Sequence, residues 1–460
     1  MVGAGIAGLA TALDLASRGL AVSVLEQGAG PGGKLLPATV AGRLFDAGPT
    51  VLTMRPVFEA LFAQAGRRME QHLELEPAAL LARHFWPDGT QLDLHADPAA
   101  TLDAIGDFAG AAEARRFLAF RRRAQRIHDA LEASFVHASR PTLPALIHRA
   151  GIAGLPALLK ISPFRSLWRE LGRHFRDPRL RQLFARYATY CGSSPFLAPA
   201  TLMLIAHVEL AGIWRIRGGM YRLATALTEA AQALGATFRF GAQVARLEVR
   251  HGRVAGVRLT DGSVIEAAAV VFNGDRAALA DNRLGAAVGD AVPPLAPSRR
   301  SLSALTWAWT GDVRGLDPSH HNICFNDDYE GEFNALFRQQ RLPAIPTVYL
   351  CAQDRPATPG HPPPTTAERL FCLVNAPATG DAGRPDDAEI NRCDAETFAH
   401  LARCGLELRP DPELTLRRSP RDWDRLYPGT GGALYGQATH GWRASFQRPG
   451  SRSRLPGLYL

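Results

Sequence analysis

Three glycines and one carboxylate near the amino terminus carry the clearest chemistry: Gly3, Gly5 and Gly8 in Met-Val-Gly-Ala-Gly-Ile-Ala-Gly, then Glu26. Gly3 permits a tight turn, Gly5 admits a diphosphate against the backbone, and Gly8 lets a helix pack closely on a strand. The helix expected over 8–17 aims its N-terminal amides toward phosphate, and Ile6 and Ala7, in the turn before it, are further cofactor-site candidates. Strand 21–25 ends in Glu26, 18 residues after Gly8, where a carboxylate accepts from a ribose diol. Glycine spacing alone is weak. Between strand, helix and strand, with a terminal acid, it predicts a dinucleotide site.

A second glycine loop with a cation follows at once: Gly28-Ala-Gly-Pro-Gly-Gly-Lys34, then Asp46-Ala-Gly-Pro-Thr50. It resembles the Gly-Gly-Arg/Lys stretch of the flavoprotein amine oxidase and phytoene desaturase superfamily, which implies FAD rather than NAD. Gly32, Gly33 and Lys34 then face the diphosphate. Lys34 is either a phosphate partner or a solvated loop lysine. The run 46–54 resembles the segment under the flavin in bacterial carotenoid desaturases, which places Gly48, Pro49 and Thr50 at the cofactor. Segments 320–329, 346–355, 374–377 and 428–436 resemble others of the phytoene desaturase family. Segments 185–195 and 212–220 are most similar to the hydroxycarotenoid (methoxyneurosporene) 3,4-desaturases. The family's closing Gly-x-Tyr-x-x-Gly-Gly run is represented by Gly457-Leu-Tyr-Leu460. Only Met1 and Val2 precede the first glycine, where a strand usually supplies about five residues. A fragment shortened at both ends is the expectation.

That resemblance implies a hydride passing from an allylic carbon to flavin N5, on an acyclic C40 carotenoid hydroxylated or methoxylated at C-1. Polyene delocalisation leaves the protein mainly binding and orientation to supply. Four residues are candidate proton acceptors or substrate hydrogen-bonders. His207 and Glu209 stand on an apolar stretch, where a satisfied core role is the alternative. Asp327 and Asp328 form an acidic pair that a turn or helix cap explains equally. Leu202, Leu204, Ile205, Val208, Ile213 and Trp214 are candidate tunnel lining or ordinary core. Three other readings stand beside this one: a phytoene desaturase, an amine oxidase on the same fold, and a flavin-free relative like the GDP-dissociation inhibitors, which bind prenylated proteins. Retention of Gly32-Gly33-Lys34 opposes the last.

The elements that must position these residues read as an α/β protein. A Rossmann-type FAD domain is interrupted by a mixed sheet-plus-helix substrate domain and a helical membrane-facing region. The expected parts are 1–95 and 215–295 for the FAD domain, 96–214 for the basic helices, 296–425 for the substrate domain, and a return at 426–460. A helix is expected over 218–234. Strands are expected over 237–240, 244–249, 253–259, 268–273, 303–310, 347–352 and 369–374. Val244, opening one, and Asn273, closing a buried one, are further cofactor-site candidates. Residues 356–364 read as a proline-rich surface loop.

At 460 residues the chain needs more than one core. Its mean hydropathy is −0.08, and the most apolar run, 196–214, is broken by Pro199, His207 and Glu209. Six cysteines show no metal spacing or disulfide framework, so no metal is expected and a reducing cytoplasm fits. Net charge is +8, yet residues 111–190 hold 15 Arg and one Lys against five acids, leaving the remainder net negative. Large apolar residues interleave there: Phe117, Leu118, Phe120, Ile127, Leu131, Phe135, Leu158, Leu159, Ile161, Phe164, Leu167, Trp168, Leu171 and Phe175. Such helices suit an anionic membrane surface, which implies peripheral attachment to the inner membrane. A solvated basic face is the plain alternative. Nucleic acid finds no companion motif.

Overall fold

Period-two and period-3.6 stretches alternate along the chain, and the computed structural model turns them into a parallel nucleotide ladder, a seven-stranded sheet and several smaller sheets, joined by helices. It describes residues 1–35, 37–132, 164–356, 364, 366–444 and 450–460. Phe135, Leu158, Leu159, Ile161 and most of the loop expected at 356–364 lie outside the described residues.

The nucleotide half is a parallel ladder. Ser23–Leu25 pairs with Thr237–Arg239, Val2 bridges Leu25 and Phe272, and Val270–Val271 pairs with Leu458–Tyr459. Helices Ile6–Ser17 and Tyr221–Gln232 pack together on it through Leu9, Leu13, Leu223 and Leu227. The first helix begins two residues before its expected start. The buried strand expected over 268–273 shortens to Val270–Val271, because Asn273 and Gly274 turn the chain onto the cavity wall. An antiparallel trio follows: Val244–Arg250, Arg253–Leu259 and Val264–Glu266.

The second sheet has seven strands, in the order Thr415–Arg418, Ser303–Gly311, Glu368–Ala376, Val348–Ala352, His321–Cys324, Leu80–Phe85 and Gln91–His95. Only His321–Cys324 and Leu80–Phe85 run parallel. Residues 80–95 therefore do not stay with the nucleotide half, as the 1–95 division expects. Leu80–Phe85 is buried at five of six positions, the pattern of a strand covered on both faces rather than of an alternating edge. Helix Asp387–Arg403 covers one face, where Phe398 meets Trp307 and Trp309 edge-on at 5.7 Å. Gln353 ties the halves together: it accepts from the Asp46 amide at 3.1 Å and donates to the Asp46 carbonyl at 2.8 Å.

Helices Pro98–Ala109, Ala111–Leu131, Leu167–His174, Pro178–Ala185 and Met203–Leu210 build the third region. Phe117, Phe120, Ile127, Leu131, Leu167, Leu171 and Phe175 fill one core with Phe184 and Tyr187. This corrects the membrane-dipping expectation for them: an amphipathic stripe requires a partner, and here the partner is protein. Two arginines of the region are likewise engaged. Arg181 stacks on Trp168 at 3.8 Å, and Arg179 covers Phe108 at 4.1 Å while pairing with Asp177. Phe164 alone among the described members of that set is exposed. No helix among the described residues is long and apolar enough to cross a membrane.

Candidate functional site

A cavity of about 890 Å³ opens over the carboxyl edge of the parallel ladder, within the range of small-molecule and cofactor sites. Its wall includes Gly3, Gly5, Ile6, Ala7, Glu26, Gly32, Gly33, Lys34, Pro49, Val244 and Asn273. Gly3 has φ 94°, a conformation that glycine adopts freely. The helix beginning at Ile6 has no acid in its first turn and no side-chain cap, so its amides stay open to an anion. Gly5 and Gly32 bridge, which brings the two glycine loops together. Glu26 accepts from the amides of Ala4 and Gly28, each at 2.7 Å. Its oxygens retain lone pairs for a ribose hydroxyl.

Lys34 is not a solvated loop lysine. Its ammonium donates to the Leu434 carbonyl and lies 5.7 Å from the Tyr427 ring centre. Burial pushes its pKa down, and Asp275 pulls it back up. A diphosphate would supply the anion this desolvated cation lacks. Open helix amides, a carboxylate at the strand end and a buried cation together fit FAD.

Three expected cofactor residues do not line the cavity. Gly8 is a packing glycine: a Cβ there would fall 2.6 Å from Asn273 Nδ2 and closer still to the Gly3 carbonyl oxygen. Gly48 likewise leaves no room for a Cβ beside the Lys34 carbonyl. Thr50 turns toward the second sheet. Its hydroxyl meets Tyr349 Oη at 2.6 Å, and Tyr349 Oη meets His321 Nδ1 at 2.7 Å.

Other wall residues were not expected. Tyr427, Thr430, Tyr435, Gly436 and Gln437 come from 427–437. Tyr427 donates to the Gly33 carbonyl at 2.7 Å, closing the far chain end over the glycine loop. Gly429, Gly431, Gly432 and Gly436 all have positive φ. That glycine density is the signal that marks a third loop against the ligand. Tyr435 is 48% exposed and lines the cavity, and burial pushes its phenol up to about 12.

At this end the cavity meets the helical core. Tyr435 abuts Gly192, the Leu434 amide donates to the Leu302 carbonyl at 3.0 Å, and Val51, two residues past Pro49, packs on the same core.

None of the four candidate acceptors reaches the cavity wall. Glu209 is 3% exposed; it accepts from Tyr187 Oη at 2.6 Å and from Tyr190 Oη, and pairs with Arg186 at 3.5 Å. Burial and the Glu209 charge raise both phenol pKa values, so the hydroxyls remain donors. His207 packs against His128 at 4.8 Å between ring centres, and burial followed by His128 lowers its pKa. Asp327 is exposed. Asp328 caps helix Tyr329–Asn334 through the Gly331 amide at 2.9 Å. Asp328→Ala is expected to cost about 1 kcal/mol in urea unfolding while leaving bound flavin per chain unchanged. Loss of flavin with unaltered stability would contradict the capping role.

The tunnel candidates also lie off the wall. Leu202 and Ile213 are core, Leu204 and Ile205 pack half-buried on it, and Trp214 joins the nucleotide-half core. Val208 does not line the cavity either.

The flavin-containing amine oxidoreductase family pattern matches residues 6–460. A hydroxyneurosporene desaturase of Rubrivivax gelatinosus is 50% identical over 461 residues, covering all of this chain and 87% of the relative. A 1-hydroxycarotenoid 3,4-desaturase of a Flavobacterium species is 30% identical over 482 residues, covering 100% and 93%. The crystal structure of an oxidoreductase from Methanosarcina mazei aligns with TM-score 0.58 at 14% identity, over 100% of this chain and 92% of that one. That likeness concerns the fold.

Proposed function

The chain belongs to the flavin-containing amine oxidoreductase family and, within it, to the bacterial carotenoid desaturases, and on that premise we propose that it introduces the 3,4 double bond into acyclic 1-hydroxy- or 1-methoxycarotenoids. It is an FAD-dependent oxidoreductase. The observation that carries the reading is the junction of the dinucleotide cavity with an apolar helical core at Pro49 and Tyr435.

FAD, when bound, supplies the acceptor for a hydride from an allylic carbon. The Ile6 and Ala7 amides with Lys34 would hold its diphosphate, and Glu26 would hold its ribose. Tyr435 and Pro49 wall the end nearest the core and limit water there. The substrate polyene spreads the developing positive charge, so orienting the chain is the main task left to these residues. A C40 hydrocarbon resides in lipid, so the enzyme works at the cytoplasmic face of the inner membrane as a peripheral protein. The six free thiols accord with that compartment.

Expression in a host that accumulates 1-hydroxycarotenoids tests the reaction. Product absorption shifted to longer wavelength, by one added conjugated double bond, is expected. Unchanged pigment beside folded, flavin-loaded protein would overturn it.

A further inference from the structure

Phe164 is 70% exposed, more than any other large hydrophobic residue among those described. It is not isolated. Its ring meets Trp442 edge-on at 5.3 Å, and the Arg443 guanidinium lies 4.8 Å over the Trp442 ring. Leu197, 43% exposed, accepts from the Gly441 amide at 2.9 Å, next to Trp442. Arg165, beside Phe164, is exposed as well. Three separate segments thus place two aromatics and a leucine on one surface, flanked by two arginines. Proteins that remain in water rarely gather apolar side chains in this way.

Beneath this patch two segments run inward side by side. Gly441 bonds Leu197, His440 Nε2 accepts from the Ser194 amide at 3.0 Å, and Ser193 Oγ accepts from the Thr439 amide at 2.8 Å. The pair ends where Gly192 abuts Tyr435, on the cavity wall. Phe196 lies along the way, 4.9 Å from Trp168 and 6.0 Å from Phe333 between ring centres. One end is greasy and cationic, the other is the cofactor cavity, and aromatic rings stand between.

We propose that the Phe164–Leu197–Trp442 surface docks on an anionic phospholipid bilayer, and that a hydrocarbon leaves the lipid there on its way to Tyr435. The inference rests on the carotenoid desaturase reading, because only a lipid-borne substrate requires a docked mouth. Aromatic rings favour the headgroup boundary, and Arg443, together with Arg165 beyond its 3.5 Å pairing with Glu170, supplies charge complementary to anionic headgroups. The bilayer is the chosen occupant because the patch pairs exposed Phe164 and half-buried Trp442 with cations, and the segments beneath it lead to Tyr435 on the cavity wall.

Vesicle flotation tests this with phosphatidylglycerol–phosphatidylcholine and pure phosphatidylcholine vesicles. The variant Phe164→Ser/Leu197→Ser/Trp442→Ser is expected to bind the anionic vesicles on the order of tenfold or more weakly than wild type. Arg165→Gln/Arg443→Gln should lose most of the preference for anionic over neutral vesicles. Flavin content and melting temperature report that each variant is folded. Undiminished vesicle binding by the folded triple variant would overturn the proposal. So would a wild-type dimer that the triple variant dissociates with vesicle binding intact, since the occupant would then be a second copy. The underlying reading fails by a different result: no desaturation of detergent-dispersed 1-hydroxycarotenoid by wild type, with vesicle binding unaffected.

Discussion

Gly8→Val is expected to yield colourless protein, with bound FAD per chain reduced at least tenfold. The valine Cβ falls 2.6 Å from Asn273 Nδ2 and nearer still to the Gly3 carbonyl oxygen. One partner is backbone and the other belongs to Asn273, whose backbone amide donates to the Val2 carbonyl at 2.8 Å and whose Nδ2 donates to the Gly3 carbonyl at 3.4 Å, so neither yields easily. The helix must lift from the ladder and carry the Ile6 and Ala7 amides away from the diphosphate position. Wild-type affinity cannot survive that displacement if those amides hold the phosphates. Gly106→Ala is the control: it lies in helix Pro98–Ala109 with 3.9 Å to the Ala114 methyl, an ordinary contact. It should keep its flavin and gain about 0.5–1 kcal/mol. Absorption spectra of the purified proteins check both. Flavin-replete Gly8→Val would contradict the assignment of the turn.

Glu209→Ala is expected to remove about 3–5 kcal/mol of stability, because it leaves the Arg186 guanidinium and two phenol hydroxyls buried without their carboxylate. Arg186 Nε already has no hydrogen-bond partner, so no alternative acceptor waits beside it. Arg186→Leu/Glu209→Leu should recover a large part of the loss, since exchanging a buried pair for apolar groups is often near neutral. Urea unfolding followed by circular dichroism measures the difference. A Glu209→Ala protein that unfolds at the wild-type midpoint yet fails to turn over would return Glu209 to the list of proton acceptors.

How far the residues revealed the molecule depended on sequence separation. The Gly3–Gly8 turn and Glu26 lie within one local unit, so their spacing alone predicts that Gly3, Gly5 and Glu26 share one cavity wall, as they do. Lys34 was legible for the same reason. Tyr427 and Tyr435 were not, because they close over that unit from far along the chain, Tyr427 bonding Gly33 across 394 residues, and nothing local says which loop a tyrosine will cover. Periodicity located the strands at 303–311 and 368–376 without saying which sheet they join. Leu80–Phe85 shows the limit: Arg83 and His84 interrupt its apolar residues, and only the pairing with His321–Cys324 assigns it to the second sheet.

The helices posed a different ambiguity. Phe117, Phe120 and Ile127 recur at helical spacing beside arginines, a pattern that suits a membrane face or a protein core equally. Phe184 and Phe175 occupy their face, which settled it. Glu209 carries the same lesson, since its partners Tyr187 and Tyr190 sit about twenty positions earlier on another turn.

Anaerobic single turnover tests the central claim most directly. Flavin-loaded protein is mixed with one equivalent of a 1-hydroxycarotenoid in detergent, and both chromophores are followed in time. The account predicts that flavin absorbance bleaches with the same rate constant as the carotenoid spectrum shifts to longer wavelength, one flavin per double bond formed. A carotenoid that shifts while the flavin stays oxidised would contradict it, as would a flavin that stays oxidised beside unchanged carotenoid.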